Sequence, residues 1–185
     1  AATPIRVSVG ERGLSTTDLN TGSIYLAAKE RDLGIGSIIS DSVVEISADH
    51  AVKAVTSETN IKAAALRILK SSAIGTKEQN LRTEISGNME MISAGDIYAT
   101  ELGTANVKNI RSTKNEGKVS LTAAGMVNCA EDGSAAITAD NITLQATAGS
   151  IGSSAKAMDV EVGSGTLNAV ADRGSLYLTD LTGNV

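Results

Sequence analysis

Gly95-Asp96-Ile97-Tyr98 is one of three closely similar tetrapeptides in this chain, and the other two are Gly22-Ser23-Ile24-Tyr25 and Gly174-Ser175-Leu176-Tyr177. Together they contain all three aromatic residues of the 185-residue sequence, which has no Phe and no Trp. Chance rarely places residues in this way, so the tetrapeptide marks an internal repeat. A repeat constrains the architecture more strongly than local propensity does, and this one predicts a β-solenoid.

A second repeated element is the dipeptide Ile-Gly, at Ile35-Gly36, Ile74-Gly75 and Ile151-Gly152. The first two copies are 39 residues apart and the last two are 77 apart, close to twice that step. Half of the shorter step is about twenty residues, which fits one solenoid turn. The 185 residues then predict about nine rungs, stacked into a rod on the order of 40–45 Å long at the spacing of neighbouring strands.

Short segments that alternate apolar and polar residues are the predicted strands, because period two places one face in a core. These segments are Ile5 to Val9, Ile24 to Leu26, Val44 to Ile46, Leu66 to Ile68, Leu81 to Ile85, Met89 to Met91, Val119 to Leu121, Ile142 to Leu144, Val160 to Val162 and Leu176 to Leu178. Residues 66–98 and 142–177 pass through the same order of strands, Ile-Gly step and Tyr tetrapeptide.

Two alternatives compete with this prediction. An antiparallel sandwich also uses many short strands, although it gives no reason for repeats in the same phase. The segment from Ile61 to Lys70 also fits an amphipathic helix, since Ile61, Ala64, Ala65, Ile68 and Leu69 share one helical face. We favour a strand there, because Leu66 to Ile68 has the phase of Ile142 to Leu144.

Composition is consistent with a narrow interior. The chain is 42% hydrophobic but only 2% aromatic, so its core consists of small and branched aliphatic residues. The net charge of −5 argues against nucleic acid or an anionic membrane surface as the main partner. The single cysteine, Cys129, excludes an intrachain disulfide, and no apolar run has the length of a membrane span.

The stretch from Ile142 to Ser153, continued by Leu167 to Tyr177, resembles filamentous haemagglutinin-type exoproteins, the two-partner-secreted adhesins of Gram-negative surfaces. The resemblance is best in residues 60–100 and 140–178. It is weak in residues 100–135, where the Ile-Gly step expected near Ile110 is missing. It implies a right-handed parallel β-helix in a secreted filament at the bacterial cell surface. Residues 1–185 are then one β-solenoid segment of the shaft of a much larger protein.

Candidate site residues give little chemistry. Tyr25, Tyr98 and Tyr177 are predicted to point outward beside inward Ile or Leu, and they are the candidate binding residues, although about four rungs separate each from the next. His50, the only histidine, has no identifiable catalytic partner, and acidic residues follow Cys129. We predict no catalytic residue, no metal ligand and no cofactor. Asn141-Ile142-Thr143 is an isolated N-glycosylation sequon.

Three functions remain open. The first is a non-enzymatic structural shaft that holds a distal binding or toxin domain away from the cell. The second is a side face that binds a host-cell surface protein or glycan, and the third is a β-helical polysaccharide lyase or hydrolase, which would need clustered charged residues on adjacent rungs. Leu176 to Leu178 is followed by no obvious polar cap before Val185, so we also predict end-to-end self-association of the isolated segment.

Overall fold

The structure is a computed structural model that describes residues 5–8 and 22–183. Within these residues the chain is all-β, contains no helix, and pairs its strands only in parallel. The strands are β1 (Ile5–Ser8), β2 (Ile24–Ala28), β3 (Leu33–Ile35), β4 (Ile38–Ile39), β5 (Val43–Ala48), β6 (Val52–Ala54), β7 (Ile61–Ala63), β8 (Ala65–Lys70), β9 (Leu81–Ile85), β10 (Asn88–Ser93), β11 (Ile97–Glu101), β12 (Thr104–Ser112), β13 (Lys118–Ala123), β14 (Gly125–Asn128), β15 (Ile137–Ala139), β16 (Asn141–Ala146), β17 (Met158–Val162), β18 (Leu167–Ala171) and β19 (Leu178–Asp180).

These strands build the walls of a β-solenoid. A ten-stranded sheet runs in the order β1-β2-β5-β8-β10-β12-β15-β17-β19, with β14 also paired to β12. A seven-stranded sheet runs in the order β18-β16-β13-β11-β9-β7-β4, and β3 pairs with β6 in a two-stranded sheet. The seven-stranded sheet receives one strand from each turn, so the coil has about seven turns.

The prediction of nine rungs is therefore too high. Ile24 pairs with Val44 after 20 residues, as predicted, but Leu66 pairs with Met89 after 23 and Ile142 with Leu167 after 25. Longer connections at the corners consume residues without adding turns. On the ten-stranded wall, the strands from β1 to β19 span eight spacings of about 4.8 Å, which gives the described coil a length of about 38 Å rather than 40–45 Å.

The predicted fold class is confirmed, and the antiparallel sandwich is wrong. The predicted strands coincide with observed ones, except that Val9 lies outside the described residues and that the segment from Leu176 to Leu178 forms an isolated bridge followed by β19. The segment with helical periodicity forms β7 and β8, with Ala64 between them. Tertiary stacking overrides the helix propensity of Ala and Leu there.

The core consists of columns of aliphatic side chains that repeat from turn to turn. In the ten-stranded sheet, Ile24, Val44, Leu66 and Met89 lie one above another, and each is at most 1% exposed. Parallel strands in register place the same inward position of each turn at the same point of the wall. An interior of this width is filled by Ile, Leu, Val and Ala side chains, which explains why the core needs no aromatic side chain.

The cross-section changes near the middle of the coil. In the first half, the chain leaves the ten-stranded wall and next forms a short third side of the coil, as where β6 comes after β5. In the second half, the short side comes instead after a strand of the seven-stranded wall, as where Ile151 comes after β16. The change occurs at β12, nine residues long, whose first part supports β14 and whose second part supports β15. Ile110 lies within this long strand, which explains why no Ile-Gly step occurs there.

The two complete sequence cycles adopt equivalent structures on different walls. The pair β8–β10 corresponds to β16–β18, and the pair β9–β11 corresponds to β17–β19. The bridge between Ile74 and Ile97 likewise corresponds to the bridge between Ile151 and Leu176. The strand β8 belongs to the ten-stranded wall, whereas its counterpart β16 belongs to the seven-stranded wall. Relative to the first copy, the second copy is therefore rotated about the coil axis by one side of the cross-section.

Both Ile-Gly steps in these cycles place the glycine at positive φ, +61° at Gly75 and +68° at Gly152. A Cβ at Gly75 would lie 2.8 Å from the Leu81 nitrogen and closer still to the carbonyl oxygen of Tyr98, one turn above. These two corners therefore require glycine for its dihedral angle and for its lack of a side chain.

We expect Gly75→Ala to lower the free energy of unfolding by about 1–3 kcal/mol more than Gly133→Ala does, because a buried clash adds to the strain of positive φ. Gly133 is the matched control, since its φ is +77° but nothing lies within 4 Å of a Cβ placed there. Urea unfolding of the two variants measures the difference. Equal losses would show that close approach of the backbone does not restrict residue 75.

Candidate functional site

The three tyrosines lie apart from one another in the fold. Tyr25 is half-buried on the ten-stranded wall, Tyr98 is half-buried on β11, and Tyr177 is 37% exposed between β18 and β19. Their apolar neighbours Ile24 and Ile97 point inward and are 1% exposed, whereas Leu176 is 46% exposed at the end of the coil. The tyrosines do not form one recognition surface.

Two of the tyrosines have an identifiable structural position. Tyr98 donates its backbone N–H to Ile74 at 2.8 Å, and Tyr177 donates to Ile151 at 2.9 Å, so each lies one turn above the positive-φ glycine of an Ile-Gly step. Tyr25 differs, because it lies on the ten-stranded wall and pairs with Glu45 of β5. The tetrapeptide marks the same corner in two copies and an ordinary strand in the third.

Tyr98 has a charged neighbourhood of its own. The Lys118 ammonium lies 6.0 Å from the centroid of its ring, at the outer limit of a cation–π contact. Burial, followed by the charge of Asp96, raises the pKa of the Tyr98 hydroxyl above its ordinary value of 10.0. The phenol is therefore neutral at physiological pH and does not act as a base.

The remaining residues considered from the sequence lie apart from one another. His50 is exposed and Cys129 is half-buried, and the described residues contain no group of three His, Cys, Asp or Glu side chains arranged to hold a metal ion. Asn141 contributes to the stacking of turns, since its side chain donates to the Glu116 carbonyl and accepts from the Thr166 hydroxyl, both at 3.4 Å.

A charged ladder runs along the outside of the ten-stranded wall. Arg67 lies 2.8 Å from Glu45 on the turn below and 3.5 Å from Glu90 on the turn above, and Lys108 continues the row 3.3 Å from Glu90. Exposed pairs of this kind stabilise a fold by about 1 kcal/mol or less each. The ladder mainly keeps like charges from facing each other in a parallel stack.

Beyond the ladder, the loop between β14 and β15 borders an open groove of about 460 Å³. Its polar lining includes Glu90, Lys108, Arg111, Glu131, Thr138 and Glu161. The Thr138 hydroxyl donates to Glu161 at 3.2 Å, which engages one carboxylate within the wall. Side chains of both charges in an open groove can hydrogen-bond a polar ligand.

Glu101 is the carboxylate that the sequence interpretation missed. It is 2% exposed and accepts hydrogen bonds from the Thr83 hydroxyl at 2.7 Å, the Gly103 N–H at 2.9 Å and the Ile85 N–H at 3.1 Å. The alternation of Ile97 and Ala99 already assigns residue 101 to the inward phase, so this signal was available. Glu101 closes the corner between β11 and β12.

Comparison with known proteins gives no relative: no family model, no curated protein and no solved structure matches the chain. The filamentous haemagglutinin resemblance therefore stays a prediction. Among the described residues, no helix is long and apolar enough to cross a membrane.

Glu101→Gln should lower the free energy of unfolding by about 1–3 kcal/mol at pH 7, because the amide points two hydrogens into a corner that supplies three donors, whereas the carboxyl group brings at most one hydrogen, which the Thr83 hydroxyl can accept. Glu78→Gln is the control, since Glu78 is exposed, and it should change stability by less than about 0.5 kcal/mol. Urea midpoints of both variants against the wild type measure this. A Glu101→Gln variant as stable as the wild type would contradict the assigned hydrogen bonds.

Burial also gives Glu101 a pH dependence. It raises the pKa of the carboxyl above its ordinary value of 4.5, against the opposing hydrogen bonds from Gly103, Thr83 and Ile85. The folded state therefore binds this proton more tightly than the unfolded state does, and the resulting stabilisation is lost as pH rises through the folded pKa. The stability advantage of the wild type over Glu101→Gln should be largest near pH 4 and should shrink above it. An advantage that grows with pH would reverse the assigned direction.

Proposed function

We propose that this chain is a non-enzymatic structural segment, a stiff β-solenoid that holds other parts of a larger protein apart. The observation that supports the proposal most directly is the continuity of turn-to-turn bonding. Backbone hydrogen bonds join successive turns along both walls and also at the corners, where Gly75 N–H donates to Val52 at 2.8 Å and Gly152 N–H donates to Met126 at 2.9 Å.

Such a body resists bending because its turns are joined on every side. Bending the coil would open one wall, break a row of backbone bonds and expose the aliphatic columns that fill the interior. The groove at Arg111 does collect charged side chains from successive turns, Glu90, Lys108, Arg111 and Glu161, which is the arrangement that a β-helical lyase or hydrolase would need. The proposal of a spacer rests instead on the continuous bonding between turns and on the ladders of paired charges outside.

The biological setting of the proposal comes from the resemblance described above. A filamentous haemagglutinin-type adhesin would place this segment in the shaft of a secreted filament at a bacterial surface, with a binding or toxin domain at its far end. The aliphatic repeat and the acidic charge are compatible with that setting.

Rigidity can be measured with spin labels at Ala27→Cys in β2 and Thr179→Cys in β19, in a Cys129→Ser background. Both labelled positions are exposed on the ten-stranded wall, seven strand spacings apart. Electron–electron resonance should give one narrow distance distribution, set by about 34 Å between the two backbones plus the label arms. A broad or two-peaked distribution in the folded protein would reveal a hinge and would contradict a stiff spacer.

The second candidate function is binding of a host glycan or protein at the groove near Arg111, which the open polar lining favours. For a spacer we expect no signal above background on glycan arrays or on host-cell surface proteins. Binding lost in Arg111→Ala but retained in Arg173→Ala, an exposed control outside the groove, would favour the second candidate. A normal unfolding curve for each variant excludes misfolding as the cause.

A further inference from the structure

One end of the described coil leaves part of its core uncovered. There β18 pairs, among the described residues, only with β16, and its inward residues Leu167, Ala169 and Ala171 are only partly buried. Leu176, at the neighbouring corner, is 46% exposed. The end formed by β18, the Leu176 corner and β19, here called the open end, therefore presents part of the core to solvent.

The internal repeat indicates what structure fits on the open end. Because β16–β18 corresponds to β8–β10, the strand β10 is the counterpart of β18. In the first copy β10 is not an edge, since β12 lies parallel above it and places Val107 over Met89 and Ile110 over Met91. The equivalent positions of β18 are Leu167 and Ala169, which have no strand above them among the described residues.

The corner that leads into β12 is also present at the open end. Leu102 N–H donates to Thr83 and Leu181 N–H donates to Val160, both at 2.8 Å, and the two leucines are 42% and 41% exposed. The preceding residue is a carboxylate in both copies. Glu101 accepts from the N–H of the residue two positions later at 2.9 Å, and so does its counterpart Asp180 at 3.2 Å.

The correspondence also extends one turn down. Glu101 accepts from the N–H of Ile85 at 3.1 Å, and Asp180 accepts from the N–H of Val162, the equivalent residue, at 3.3 Å. In the first copy β12 begins three residues after this carboxylate, at Thr104. The corner at Asp180 therefore already has the geometry from which a strand starts over β18.

We infer that the open end is a strand-docking surface, and that its occupant is one further turn with the pattern of β12. The docked strand runs parallel to β18 and places aliphatic side chains over Leu167 and Ala169. It bonds the backbone groups of β18 that point away from β16, in the manner of β-strand addition.

The test is to extend the chain with its own next turn. Residues 104–123, which form β12 and β13, are appended after Thr182, so that the appended copy of Thr104 replaces Gly183. Hydrogen exchange of the β18 amides that face away from β16 should slow by at least about tenfold, because they acquire carbonyl partners and lose contact with water. The matched control carries Val107→Asp and Ile110→Asp within the appended copy only, and it should leave exchange at β18 unchanged.

The same test with a separate peptide does not depend on whether the extended chain folds. A synthetic peptide of residues 104–112, at millimolar concentration, should slow the same amides in the unextended chain, and a scrambled peptide should not. Failure of both the extension and the peptide to protect β18, or equal protection by the aspartate control, would overturn the inference. Protection in the unextended chain that rises with protein concentration would also overturn it, since a second copy would then cover the open end.

Discussion

The constraint on which this structure depends is that each turn must satisfy the backbone of the turn below it. In a narrow coil the backbone is buried at the corners as well as along the walls, and a buried N–H or carbonyl without a partner is costly. Straight strands meet this requirement automatically, because parallel neighbours pair residue by residue. The corners meet it only where the chain adopts special geometry, as at Gly75 and Gly152. The N–H group of each glycine donates to a carbonyl of the turn below, and its Cα lies against a backbone carbonyl of the turn above, where a side chain would not fit.

Where the backbone cannot reach its partner at a corner, a buried polar side chain replaces it. Asn60 is 0% exposed, donates to the carbonyls of Ile35 and Gly36 at 3.2 Å and accepts from the Arg82 N–H at 2.9 Å. Glu101 has the same role, but its side chain only accepts hydrogen bonds. Fully bonded groups of this kind specify the path of the chain, since any other register would leave them unpaired in an apolar interior. The side chains of Asn60 and Glu101 therefore contribute to the connections between turns.

The difference between walls and corners explains how much could be predicted from sequence. Alternation is a local signal, so the strands at Val44, Ile142 and Val160 can be placed from it. The shared phase of Leu66 to Ile68 and Ile142 to Leu144 also identifies the segment after Ile61 as strand rather than helix. The number of turns was overestimated because corner length depends on three-dimensional closure, which no short pattern encodes. Glu101 was missed for a related reason: its inward phase was readable, but two of its three donors, Thr83 and Ile85, lie on the turn below, eighteen and sixteen residues earlier in the chain.

The repeated unit of this protein is the corner with its flanking strands, not a stripe of side chains along one wall. The unit around Ile74 and Tyr98 recurs around Ile151 and Tyr177, yet the two copies lie on different sides of the coil. If selection had maintained an extended recognition surface, equivalent outward residues would be expected to align along the axis, because a ligand spanning several turns contacts one side. The rotation between copies preserves the internal bonding of each corner and changes the direction in which the tyrosines point. What the repeat preserves is thus the connection between turns, which is the property that a stiff spacer requires.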